Sequence, residues 1–155
     1  MPTTNAQNWL CLRRIVRFGD TDGAGVIHFY QLLRWCHEAW EESLEVYGIK
    51  SIDIFPSIPD NVSCLNFALP IVHCEADFLS PVCVGDNLVV KLFPIKKGLT
   101  SFQVQYQFQR DNKTVAYGLI AHCAIQFKTR QPCNLPEGIE RWLEASSLNK
   151  GIKSL

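Results

Sequence analysis

Two carboxylates and three glycines stand within seven residues, in the stretch Gly19-Asp20-Thr21-Asp22-Gly23-Ala24-Gly25, followed by Val26-Ile27-His28-Phe29-Tyr30. Glycine bends freely and lets a ligand approach the backbone closely. A carboxylate held beside a carbonyl can attack it or activate a water against it. The apolar-periodic segment beginning at residue 28 predicts a helix, and a helix start offers unpaired N–H groups and partial positive charge. Those donors suit the oxyanion that forms when a carbonyl is attacked. The stretch therefore holds the minimum equipment for acyl hydrolysis without serine or cysteine. Asp and Gly before a helix also serve as ordinary caps and turns, and the local pattern alone leaves both readings open.

Other residues carry less chemistry. His37-Glu38-Ala39-Trp40-Glu41 resembles part of a zinc-protease helix but lacks its second His. Seven Cys occur and no pair forms a CxxC, so their spacing disfavours zinc. Most lie among apolar neighbours and read as reduced, structural thiols of a cytoplasmic protein. There is no GxSxG, which disfavours an α/β-hydrolase mechanism. His73 and His122 fall in predicted strands as core or interface histidines, and Glu42 falls on the predicted helix, solvated or lining an interface. Lys plus Arg balance Asp plus Glu at 15 each, which gives no electrostatic reason for a nucleic-acid partner.

The elements that must position these residues follow from periodicity. Residues 9–18 (WLCLRRIVRF) read as a first strand, after a polar, frayed stretch at 1–8. Residues 28–47 carry apolar side chains at 29, 33, 36, 40, 44 and 47, with Trp35, Ala39 and Val46 on another side. This predicts a long helix buried on more than one face and ended by Gly48. Residues 49–63 read as loop, with Asp53, Pro56 and Pro59. Residues 64–79 read as a long strand with an edge position or bulge at Pro70, and 80–86 as a connection. Strands follow at 87–95, at 101–109 with Phe102, Val104, Tyr106 and Phe108 on one face, and at about 113–128. In the last of these, Val115, Tyr117, Leu119, Ala121, Cys123, Ile125 and Phe127 share a face. Residues 96–100 and Asp111-Asn112 are turns, and 137–146 form a short closing helix. Tight connections make the four later strands antiparallel. One antiparallel sheet and one multiply buried helix predict an α+β domain, a five-stranded antiparallel sheet wrapped around a long central helix. Val89, Phe93 and Ile120 are expected on the sheet's outer face, where oligomerisation would cover them.

With 155 residues the chain suits a single domain, 1–155, whose core needs no metal or disulfide. MPTTNAQNW has no basic run and no apolar core, which reads as no signal peptide. No segment reaches the apolar length that spans a bilayer, so no membrane partner is expected.

Residues 18–42 (FGDTDGAGVIHFYQLLRWCHEAWEE) resemble the signature of the 4-hydroxybenzoyl-CoA thioesterase family of hotdog proteins, D-x-D-x-x-G and two hydrophobic residues before the central helix. LPIVHCEADFLSPVCVGDNLVV (69–90) resembles the family's second strand and its P-x-x-x-G-D turn, Pro81 to Asp86. The resemblance covers roughly residues 9–128. Within the family, DTDGAGV followed by CHEAWE is similar to the subgroup of phototrophic bacteria that hydrolyses 1,4-dihydroxy-2-naphthoyl-CoA on the route to phylloquinone.

The resemblance implies a hotdog fold and a thioesterase in which Asp22, the second Asp of the motif, is nucleophile or general base. It implies the backbone N–H of Phe29 as oxyanion donor, with Gly25 as the motif glycine between them. His28 stands where relatives often carry an aromatic residue, and reads as an acyl contact, an aid to Asp22, a pocket wall or a first-turn residue. The family holds CoA phosphates with basic residues and a Ser at the turn into its fourth strand. Ser101-Phe102 matches that Ser-Phe pair, whereas Gly98, Leu99 and Thr100 replace the basic residues and leave Lys97 upstream as the phosphate candidate or a solvated Lys. No metal and no cofactor is implied, CoA being part of the substrate. The expected assembly is a homo-oligomer, dimer or tetramer, with two sheets joined edge to edge and the active site between chains. Rival readings are a thioesterase for aliphatic acyl-CoA or acyl-carrier-protein, a hotdog dehydratase, and a non-catalytic acyl-CoA-binding hotdog protein.

Overall fold

The computed structural model describes residues 5–56 and 65–147. Residues 1–4 of the stretch expected to fray, and Pro59 and Cys64, lie outside them. The expected strand at 9–18 is shorter at both ends. Trp9 and Leu10 belong to a one-turn helix α1 (Gln7–Leu10), strand β1 runs Cys11–Ile15, and a 3-10 turn spans Phe18–Asp20. Trp9 leaves the strand because its indole reaches 137 residues along the chain and donates to Ser146 Oγ at 3.0 Å.

Helix α2 (Phe29–Tyr47) stands where its periodicity puts it and ends at Gly48, whose φ of 118° only glycine adopts readily. Its buried residues are Gln31, Leu32, Trp35, Cys36, Ala39, Trp40, Ser43 and Leu44. These form one broad stripe rather than several faces. The far side is solvated and carries the pairs Arg34–Glu38 and His37–Glu41, while Glu42 bonds Arg14 on β1. Val46 is exposed.

The long strand expected at 64–79 is two. β2 (Phe67–Ala68) and β3 (Ile71–Phe78) are separated at Leu69-Pro70, because proline has no N–H to continue a ladder. β4 (Asn87–Lys96), β5 (Ser101–Arg110) and β6 (Lys113–Cys123) follow, then β7 (Ile125–Gln126), which pairs with β2 in a separate two-stranded ribbon. Helix α3 (Glu137–Ser147) closes the described chain; Trp142 donates to Ser43 Oγ at 3.2 Å, and Lys96 bonds Glu140.

The main sheet has the order β1-β4-β5-β6-β3, antiparallel throughout. It packs on α2 through Leu88, Val90 and Leu92 of β4, through Phe102, Val104, Tyr106 and Phe108 of β5, and through Ala116, Ile120 and His122 of β6. This is the expected hotdog arrangement. Asp111 and Asn112 both take positive φ in the β5–β6 turn, as a two-residue hairpin requires. Two expectations for the sheet fail. Ile120 faces the helix, not the outside. Tyr117, Leu119, Ala121 and Cys123 do share a face, but it is the outer one. The β5–β6 register shifts between Phe108/Gln109, so Val115 is a bulge and the strand changes phase after it.

A third departure shapes the site. Tight turns join β4 to β5 and β5 to β6, but β3 and β4 are not neighbours. The connection 79–86 therefore passes across one end of the sheet. It is tied there to β6 by Leu79 and Ser80 N–H to Val115 O (2.9 and 3.2 Å), and to the exit of β1 by Val16 N–H to Asp86 O and Gly85 N–H to Val16 O (2.9 and 2.8 Å).

Candidate active site

The Asp-rich loop leaves β1 at the same end of the sheet. It folds into a tight hairpin. Asp22 N–H donates to Val26 O (2.8 Å), Gly25 N–H donates to Asp22 O (3.0 Å), and Thr21 bridges Ile27. Gly25 closes the turn at φ 80°, a left-handed conformation that explains the glycine there; nothing lies near a Cβ added to it. The hairpin's second arm lies on the crossing connection, with Val26 bridged to Cys83 and Ile27 N–H donating to Val82 O at 2.8 Å.

The two carboxylates have different surroundings. Asp20 ties the loop: its Oδ2 accepts Arg17 N–H at 2.8 Å and its carbonyl accepts His28 N–H at 2.8 Å. Asp22 is exposed; its Oδ1 accepts Ala24 N–H at 2.8 Å, and its other oxygen has no partner among the described residues. Neither side chain caps α2. The N-cap is His28, which makes no side-chain cap bond, and the Phe29 N–H finds no acceptor among the described residues. The helix start is thus open at Phe29, while Gln31 N–H turns back to His28 O at 2.9 Å.

Asp22 and Phe29 meet at one pocket of about 410 Å³, walled by Val26, Ile27, Phe78, Leu79, Ser80, Pro81 and Val82. The wall is apolar apart from Asp22 and Ser80. Phe29 is 71% exposed and Phe78 and Leu79 are exposed too, so the pocket is open on that side. A planar apolar acyl group with a reactive carbonyl at the Asp22 end fits this lining.

The other sequence candidates lie elsewhere. His28 does not line the pocket; its ring packs on Phe29 and Tyr30 (centroids 4.7 and 4.2 Å), with Nδ1 buried and unpartnered among the described residues. Lys97 and Ser101 sit at the β4–β5 turn, joined by Lys97 N–H to Ser101 O at 3.0 Å. That turn is the opposite end of a ten-residue strand, so roughly 30 Å of sheet separates it from Asp22 in one chain. The sequence marks 80–86 as a connection and Pro81–Asp86 as the family's turn, but it does not single out Ser80 or place the connection at the site. A 3.6- or 2-residue period carries no information about a connection without regular structure, and the Pro81–Asp86 spacing is the one available signal.

Arg110, at the end of β5, completes the surroundings. One nitrogen, Nη1, donates to Pro81 O (2.8 Å) and to Asp86 Oδ2 (2.7 Å), and the same carboxylate oxygen accepts Cys83 N–H at 2.9 Å. Burial alone would raise the Asp86 carboxyl, but the Cys83 N–H and the Arg110 guanidinium outweigh it and hold it below its ordinary range.

Comparison with known proteins identifies the family. Residues 16–143 match the thioesterase-like superfamily. A 1,4-dihydroxy-2-naphthoyl-CoA hydrolase of Prochlorococcus marinus is 56% identical over 155 residues, which span the whole of both chains. A solved structure from Prochlorococcus marinus strain MIT 9313 superposes with a TM-score of 0.88 at 55% identity, covering 92% of this chain and 99% of that one. The 1,4-dihydroxy-2-naphthoyl-CoA thioesterase of Synechocystis superposes with a TM-score of 0.78 at 31% identity, covering 86% and 94%.

Proposed function

The chain belongs to the thioesterase-like superfamily, and on that premise we propose that it hydrolyses 1,4-dihydroxy-2-naphthoyl-CoA to 1,4-dihydroxy-2-naphthoate and CoA, with Asp22 as its catalytic carboxylate. The observation that carries the assignment of Asp22 is its position with Phe29 on one apolar pocket, where a carboxylate oxygen and a helix-start N–H are both without partners among the described residues. The substrate follows from relatives of that activity that match the chain over its full length.

The thioester carbonyl oxygen would lie on the Phe29 N–H, which strengthens its hold as negative charge develops there. The free oxygen of Asp22 either adds to the carbonyl carbon, expelling the CoA thiolate and leaving a mixed anhydride that water then cleaves to the acid and free Asp22, or takes a proton from a water that adds to the carbonyl, after which the thiolate leaves directly. The naphthalene ring rests among Val26, Phe78, Leu79 and Val82. Asp20 is left outside the chemistry because it does not line the pocket, and its Oδ2 and backbone carbonyl tie the loop.

The assembly we read as homo-oligomeric, dimer or tetramer. β3 is an edge strand with exposed side chains along most of its length, Val72 at 62%, and unpaired edges are templates for another chain. Antiparallel pairing of β3 with its copy would set Phe78 near the Ile71 end of the second sheet. Ile71 pairs with His122, and Cys123 with Ser101. The second chain's Lys97 and Ser101 end would then approach the pocket, as the family resemblance implies.

The test is CoA release from 1,4-dihydroxy-2-naphthoyl-CoA, 4-hydroxybenzoyl-CoA and palmitoyl-CoA by wild type and Asp22→Asn. The expected result is highest kcat/KM on the naphthoyl ester and a loss of at least ~100-fold in kcat in the folded variant. Faster turnover of palmitoyl-CoA refutes the aromatic substrate, and a variant as fast as wild type refutes the role of Asp22.

A further inference from the structure

The crossing connection 79–86 is both a wall of the pocket and the support of the Asp22 hairpin. Ser80, Pro81 and Val82 line the pocket, while Val82 and Cys83 receive Ile27 and Val26 through the backbone. A connection with no regular structure has no ladder of its own to fix it. It is held by stitches to the strand ends it passes: Val115 on β6, Val16 after β1, and between them, on β5, the side chain of Arg110. The first two stitches are backbone bonds that any residue could make. The third depends on side chains, that of Arg110 with the carboxylate of Asp86. Arg110 Nη1 bridges the carbonyl of Pro81, at the start of the turn, and the carboxylate of Asp86, at its end, and so sets the span of the turn. Asp86 Oδ2 also holds the Cys83 N–H, the residue that bridges Val26. From Arg110 to Asp22 there is thus a continuous path: Asp86, Cys83, Val26, and the Asp22 N–H on Val26 O.

We propose that Arg110 is a positioning residue of the hydrolytic site, fixing the Pro81–Asp86 turn so that the Asp22 hairpin and the pocket wall keep their registry. This rests on the thioesterase reading above. Arg110 is not among the pocket residues and touches no reacting atom. The ion pair is part-exposed, with side chains 30% and 24% accessible, so its contribution to global stability is small. Its effect falls on geometry, where a displacement of about 1 Å costs far more in rate than in folding.

The experiment compares Arg110→Met, Arg110→Lys and, as a control for loss of a part-exposed ion pair away from the site, Glu140→Gln. Each is assayed for kcat and KM on the naphthoyl ester, for melting temperature, and for hydrogen exchange at the Asp22 and Ile27 amides. Arg110→Met should lower kcat about tenfold or more with KM changed less than about threefold. Its melting temperature should stay within about 4 °C of wild type, and both amides should exchange faster. Lysine should restore most of the rate, since a single nitrogen makes both contacts in the native site. Glu140→Gln should change none of these. Unchanged exchange at Asp22 and Ile27 in Arg110→Met overturns the proposal, as does a loss of rate that only tracks loss of folded protein. If the wild type cleaves no ester, the thioesterase reading fails instead, and the exchange comparison alone decides whether Arg110 holds the loop.

Discussion

At the scale of single residues, surroundings separate groups that sequence treats alike. Asp20 and Asp22 are identical letters two positions apart, and the capping reading and the catalytic reading apply to both. Each carboxylate accepts one backbone N–H, from Arg17 at Asp20 and from Ala24 at Asp22, but only Asp22 lies on the pocket. That division depends on how the chain turns between them, which no local pattern states. His122 is a second case, legible only as a histidine in a strand. It is fully buried, stacked on Phe102 (4.9 Å, 16°) and beside Trp40 (4.4 Å), with Nδ1 donating to Leu69 O at 3.2 Å. Burial pushes its pKa down to about 4; the Leu69 carbonyl opposes this and nearby His37 adds to it. In the unfolded chain His122 takes a proton near pH 6.5, and in the folded one only near 4, so between those values the unfolded state binds more protons. Stability from this group is therefore full above about pH 6.5 and is lost as pH falls toward 4, by up to roughly 3 kcal/mol. Urea melts of wild type and His122→Asn from about pH 7.5 to 4 check it: the wild type should lose more than the variant, and the two curves should be parallel above about pH 6.5.

At the scale of elements, helix and sheet fit closely at Gly118. A Cβ there would lie 2.5 Å from Cys36 Sγ, inside any real contact. Cys36 is fully buried in the α2 stripe, so relief requires its thiol to turn into packed neighbours or α2 to shift on the sheet. Gly118→Ala should cost about 1–3 kcal/mol, and Cys36→Ala in the same chain should recover much of it, a coupling readable in a denaturation double-mutant cycle. The same packing explains which parts of the sheet are legible. β5 shows large apolar residues on its inner face and Gln on its outer one, and its alternation identifies the core side correctly. β6 does the reverse: Ala116 and Gly118 face the helix because the helix sits close, and bulkier Tyr117 and Leu119 face outward. Hydrophobicity then points to the wrong side, and the Val115 bulge adds a change of phase. Pro70 signals an interruption, but whether it kinks a strand or divides it between two sheets depends on partners far away in sequence. The helix α2 and its glycine stop are plain because both signals are local.

At the scale of the whole molecule, one chain does not bring the candidate site residues together. The pocket has Asp22, the Phe29 N–H and an apolar wall, yet Lys97 and Ser101 stand at the far end of the sheet, and no order of strands within one chain brings the two ends together. A two-fold assembly through β3 would, and it makes a quantitative statement. Let one variant lose the carboxylate, Asp22→Asn, and a second lose the phosphate candidates, Lys97→Ala with Ser101→Ala. If each site draws Asp22 from one chain and Lys97 with Ser101 from the other, a mixed dimer has one site with every native group and one with none. Random mixing at equal amounts makes half the dimers mixed, so about one quarter of the wild-type rate should return at subsaturating substrate after the variants are unfolded together and refolded. If both sets belong to one chain, every chain carries a defect and the mixture shows only the mean of its parents. Light scattering on the same samples establishes that dimers or tetramers are present when the rates are compared. Complementation would also explain why the pocket is open on the side of Phe29, Phe78 and Leu79: those exposed apolar residues border the place a second chain would occupy.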